Sequence, residues 1–127
     1  MKILAIDLGE KKSGLARTDE QFVVGGGVIS GYGAYNEFID AIKDIIAEYA
    51  IEQLVIGLPQ SLSGQQADKY RDIIKKVQRD TNLTVATVDE TLSSFEARRR
   101  QPSNTHNGDD DEAAAKIILE DYINQNR

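Results

Sequence analysis

MKILAIDLGE, residues 1–10, runs from a short apolar stretch, Ile3-Leu4-Ala5-Ile6, into an acid, Asp7, and a turn-forming Gly9. Such a run, bounded by a turn signal, reads as a buried strand. A carboxylate at the end of a buried strand is costly unless something partners it. Asp7 is therefore either the edge of a turn or a group aimed at a cation or a phosphate-bearing ligand. The rest of the chain decides between these.

Reading outward, SGLARTD (13–19) follows a turn-like GEKK, which predicts a hairpin. FVVGGGVIS (22–30) is a third strand interrupted by Gly25, Gly26 and Gly27, which suggest a bulge or a close backbone approach, a plain bend in the strand being the other reading. Phe38, Ile42, Ile45, Ile46 and Tyr49 recur at helical spacing and predict a helix over 35–49. QLVIGLP (53–59) has the continuous apolar character of a buried parallel strand. A polar loop, QSLSGQQ, leads to a helix over about 66–80 carrying Tyr70, Ile73, Ile74 and Val77. LTVATVDE (83–90) is the next strand, Ser93 is placed to cap a short helix over 94–100, QPSNTHNG (101–108) is a loop, and a last helix spans about 109–124. Tight links make the first three strands antiparallel, and helical crossovers make the later ones parallel. The expectation is an α/β fold with a mixed five-stranded sheet and flanking helices, one domain over 1–127.

Composition narrows the chemistry. Of 127 residues, 40% are hydrophobic, enough for one core, and none is Cys, which removes disulfides, thiol nucleophiles and Cys-bound metals. The N-terminal apolar run is too short for a signal peptide or a membrane span, so a cytoplasmic protein with no membrane partner is expected. A net charge of −6 argues against a strong nonspecific polyanion binder. Local cationic clusters remain: Lys11-Lys12-Arg17, the group from Lys69 to Arg79, and Arg98-Arg99-Arg100. Each is either a solvated face or a local phosphate-binding patch.

The acids then fall into a pattern. Asp7 ends the first strand, and Asp89 and Glu90 end the last. Ligands of open α/β sheets gather outside the carboxyl ends of strands. The final helix opens with Asp109, Asp110, Asp111 and Glu112, acids that also suit a helix N-terminus on dipole grounds alone. At about 100° per residue, Asp111 shares a stripe with Ala114, Ala115, Ile118 and Tyr122. Asp109 falls with Glu112, Lys116 and Glu120 on a stripe expected to be solvated, and Asp110 is intermediate. Asp7, Glu90 and Asp111 are thus the candidate catalytic and metal-holding carboxylates. An all-oxygen set suits Mg²⁺ or Mn²⁺, and a pair of such ions serves phosphodiester hydrolysis.

IDLGEKKSGLARTD, LVIGLPQSLSG, VDETLSSFEARR and DEAAAKIILEDYI, in this order, resemble the YqgF family, the RuvX-like Holliday junction resolvases also named as pre-16S rRNA nucleases. The resemblance covers about residues 3–123. It implies a ribonuclease H-like fold with strand order 3-2-1-4-5 and cytoplasmic, divalent-metal-dependent cleavage of structured RNA or DNA, with pre-rRNA processing favoured over junction resolution. It carries the family's acids onto Asp7, Glu90 and Asp111. Two departures stand out: Thr91 replaces the family's usual Arg, and QPSNTHNGDDD replaces a commonly basic stretch. Lys11, Lys12, Arg98 and Arg99 are the candidate nucleic-acid contacts. His106, the sole His, is read as a bystander in a loop, with leaving-group protonation as its other reading. DLGEKKSG also resembles the phosphate loop of the sugar kinase, Hsp70 and actin superfamily, which needs two such domains to enclose ATP. A ribonuclease H-like module that binds nucleic acid or protein without turnover is the alternative to a nuclease.

Overall fold

The computed structural model describes residues 1–59, 64–90 and 109–125. Strands β1 (Ile3–Asp7), β2 (Lys12–Asp19) and β3 (Phe22–Ser30) come first. A 3₁₀ turn (Tyr32–Ala34), helix α1 (Tyr35–Tyr49), strand β4 (Gln53–Pro59), helix α2 (Gly64–Thr81), strand β5 (Val85–Glu90) and helix α3 (Asp109–Gln125) follow. The short helix expected over 94–100, the loop at 101–108, Thr91, Arg98, Arg99, Arg100 and His106 lie outside the described residues.

The strands form one five-stranded sheet in the order β3-β2-β1-β4-β5. β1 is antiparallel to β2 and β2 to β3, while β1–β4 and β4–β5 are parallel. This is the mixed sheet expected from the sequence. The C-terminal ends of β1, β4 and β5 therefore open on one rim.

Strand alternation gives the sheet two apolar faces. Leu4, Ile6 and Leu8 pack with Leu15, Leu54 and Ile56 beneath Phe38, Ile39 and Ile42 of α1 and Ile73 and Val77 of α2. Ile3, Ala5, Ala16, Val55 and Val88 pack beneath Ala115, Ile118 and Leu119 of α3. Fully burying one such aliphatic side chain stabilises the fold by roughly 1.5–3 kcal/mol. Across α1 and α2, the Tyr35 hydroxyl donates to Asp80 at 2.7 Å, and Arg79 Nε donates to the same carboxylate at 2.9 Å.

Two sets of glycines shape the face under α3. The register of β2 with β3 slips between Leu15 and Ala16, so Gly26 is an extra residue and Gly27 takes φ +84°. The bulge expected from GGG is present. Gly57 lies inside β4, where a Cβ would stand 2.6 Å from Ile118 Cδ1. Only a glycine lets α3 settle this close to β4.

Candidate active site

Asp7 is half-buried at the C-terminal end of β1. Its position has the parity of Ile3 and Ala5, the face that α3 covers. In β5, Val88 and Ala86 belong to that same face, and position 90 is the next of their parity, whereas position 89 has the other. In α3, Ala114, Ala115 and Ile118 are buried against the sheet, and position 111 lies on their helical stripe. The backbone thus puts positions 7 and 90 at one rim and one face, and aligns position 111 with the stripe facing the sheet. The side chains of Glu90, Asp109, Asp110 and Asp111 lie outside the described residues.

The turn after Asp7 is tightly held. Gly9 N–H donates to the fully buried Ser13 Oγ at 3.1 Å. From the other side, the amides of Gly31, Tyr32 and Gly33 donate to the carbonyls of Lys11, Gly9 and Glu10 at 2.9, 3.0 and 2.8 Å. A Cβ on Gly31 would collide with the Gly9 and Glu10 backbone. The GYG at 31–33 is therefore a backbone clamp on the β1–β2 turn. It fixes the end of β1 and presents the exposed Lys11 and Lys12 on a rigid hairpin. The Gly9 amide is committed to Ser13, unlike the free amides of a phosphate-cradling loop.

Two aromatic residues, Tyr70 and Tyr32, adjoin this turn. Tyr70 O–H lies 3.4 Å from the Leu8 carbonyl, and its ring meets Tyr32 edge-on at 6.3 Å. Burial pushes the Tyr70 phenol up, with smaller contributions from Tyr32 and from the negative charge of Asp7, so it stays protonated. Lys69 Nζ lies 5.6 Å from the Tyr32 ring centroid.

Two sequence expectations need correction. Glu112 does not join a solvated face. It is half-buried, and its Oε2 accepts a hydrogen bond from the Gly27 N–H at 2.7 Å. The bulge turns that amide toward α3, a partnership helical phase alone does not reveal. Arg17 does not extend the Lys11-Lys12 cluster: its guanidinium stacks 3.8 Å from the Tyr49 ring centroid on α1.

Among the described residues, no three His, Cys, Asp or Glu side chains are grouped to hold a metal, and Asp7 is the candidate ligand whose side chain is described. None of the described helices is long and apolar enough to cross a membrane.

Comparison with known proteins fits this geometry. The profile described as "RuvX: Holliday junction resolvase" matches residues 1–125. A Halothermothrix orenii protein named "Putative pre-16S rRNA nuclease" is 31% identical over 98% of this chain and 95% of its own length. One of the same name from Thermosynechococcus vestitus is 32% identical over 97% and 87%. In three dimensions, T. thermophilus RuvC in complex with a Holliday junction substrate superposes with a TM-score of 0.63 at 9% identity, covering 99% of this chain and 96% of that one. The fowlpox virus resolvase, solved with Holliday junction DNA, gives 0.62 at 15% identity and 98% of both chains. These structures share the ribonuclease H-like fold with this chain. With a profile match over nearly its whole length and such relatives, the chain belongs to the RuvX family of Holliday junction resolvases.

Proposed function

We propose that this chain is a divalent-metal-dependent nuclease that hydrolyses phosphodiester bonds in structured nucleic acid, in the cytoplasm. The favoured substrate is the 5′ region of pre-16S rRNA, as the names of its relatives indicate, with junction DNA second. The observation that carries this reading is the parallel β1-β4-β5 arrangement, which brings positions 7 and 90 to one rim on the face that α3 covers.

The donor chemistry fits a hard cation. Asp7 is a carboxylate at a strand end, and the other two candidates, Glu90 and Asp111, also offer only oxygen. When bound, Mg²⁺ or Mn²⁺, as two ions with substrate, supplies Lewis acidity and an activated water at neutral pH. The chain supplies position and charge. Asp7 sits on a central strand whose exit is clamped, so its carboxylate is presented with little freedom. Lys11 and Lys12, four and five residues on, are placed to hold a phosphate strand beside it. Arg98 and Arg99, which follow the segment carrying Glu90, are proposed as further contacts.

The test is cleavage of a pre-16S rRNA 5′ precursor, a four-way DNA junction and single strands, each with Mg²⁺ or Mn²⁺, by wild type and Asp7→Asn. Cleavage of the precursor by wild type alone supports the proposal. Tight binding without cleavage of any substrate would instead favour the non-catalytic binding module, the reading that the acidic charge and Thr91 support.

A further inference from the structure

We propose that Glu112 is a positioning residue, whose bond to the Gly27 amide seats the first turn of α3 and so sets Asp111 at the rim. The inference rests on the nuclease reading above and concerns how this chain holds its third acid.

Glu112 lies in the first turn of α3, the turn most prone to fray. Its carboxylate reaches across to β3 and takes the Gly27 N–H at 2.7 Å, a charge-assisted bond stronger than a neutral one. Three glycines make this seat. Gly26 is the extra residue of the bulge, Gly27 at φ +84° presents its amide, and Gly25 leaves room. A Cβ on Gly25 would collide with the Glu112 carboxylate.

Farther along, Ile118 fills the notch left by Gly57 in β4. Besides its apolar packing over β1 and β2, α3 is thus keyed at two points, on β3 near its start and on β4 farther along. Two separated points fix both the rotation and the slide of a helix. Asp111 immediately precedes the first and shares the stripe of the second, so its position follows from both. An acid at this position also suits the helix dipole, but a dipole effect needs the charge, whereas a seat needs only an acceptor. Gln at 112 keeps an acceptor and loses the charge, so it separates the two roles.

The experiment compares wild type, Glu112→Ala, Glu112→Gln and Gly25→Ala, after checking that each melts cooperatively. Amide hydrogen exchange is followed in the metal-free protein over the first turn of α3, and kcat and KM are measured on the pre-16S precursor. In Glu112→Ala and Gly25→Ala, the expected result is at least tenfold faster exchange in that turn and a kcat about 10–100-fold lower, as a displacement near 1 Å produces, with KM within about twofold. Glu112→Gln should stay within about threefold of wild type in both readouts. Unchanged exchange in Glu112→Ala, or a Gln variant as impaired as Ala, would overturn the inference. If wild type cleaves nothing, the nuclease reading fails, and exchange still decides whether Glu112 seats the turn.

Discussion

Ile118 Cδ1 occupies the space that a side chain on Gly57 would need: a Cβ there would stand 2.6 Å away. β4 and α3 therefore meet closely beside β1, the strand that carries Asp7. Gly57→Ala should push α3 outward. The expected cost is about 1–3 kcal/mol of stability, as for overpacking elsewhere, with reduced cleavage because Asp111 rides on the same helix. Denaturant unfolding and a cleavage assay on the same sample check it. An unchanged unfolding midpoint would mean that the helix yields freely at this point.

Asp7→Asn keeps the shape of the side chain and removes its charge. If three acids share the rim, the loss of one relieves mutual repulsion in the metal-free protein. Cleavage should fall by about 10³-fold or more, the scale of losing a central electrostatic contributor. The melting temperature without metal should stay level or rise. A large drop would make Asp7 a structural turn residue.

Lys11 and Lys12 stand exposed on a clamped hairpin, and Arg17 is stacked on Tyr49. Lys11→Ala with Lys12→Ala should flatten the log–log salt dependence of nucleic-acid binding by about 0.7–1.8, the worth of one to two phosphate contacts. Arg17→Ala should leave that slope unchanged and lower stability through lost packing. Binding titrated against salt, beside thermal melts, separates the two. Equal slopes for wild type and the double variant would assign the strand to Arg98 and Arg99.

How much was legible in the sequence follows from the range of each signal. The five strands, their mixed directions and helices α1, α2 and α3 are readable because apolar periodicity is local and the connections are short, whereas the strand order comes only from the family resemblance. Asp7 and Glu90 were readable as candidates because strand-end acids stand out against apolar runs. Glu112 was misplaced because helical phase shows which stripe a residue occupies, not where a bulge in a distant strand has turned an amide. The GGG in β3 signals the bulge, but not the carboxylate 85 residues away that seats on it. Proximity in sequence groups Arg17 with Lys11 and Lys12, whereas strand alternation turns it to the α1 face, onto Tyr49. The backbone clamp of GYG on the β1–β2 turn has no side-chain signature at all.

Asp80 links α1 to α2 and gives a pH-dependent signal remote from the acids. Hydrogen bonds from Arg79 and then from Tyr35 hold its carboxyl down, from an ordinary value of 3.8 to about 2. A depressed carboxyl contributes stability that is present above its unfolded value and lost as pH falls through its folded value. The stability gap between wild type and Asp80→Asn should therefore be constant from neutral pH to about pH 5 and close between about pH 4 and 2. Urea unfolding at stepped pH measures it. A gap that persisted unchanged to about pH 2 would show that the charge of Asp80 contributes nothing.

The proposed nuclease activity requires Asp7, Glu90 and Asp111 to act together as one metal-dependent phosphodiesterase site. The most direct measurement is the single-turnover cleavage rate of a pre-16S rRNA 5′ precursor as Mg²⁺ or Mn²⁺ is titrated. Wild type, Asp7→Asn, Glu90→Gln, Asp111→Asn and the triple variant are compared at equal folded fraction. The expected result is metal-dependent cleavage by wild type, a loss of about 10³-fold or more in each single variant, and little further loss in the triple, as for residues that act as a unit. Near-wild-type cleavage by any one of the single variants, or cleavage indifferent to metal, would contradict it.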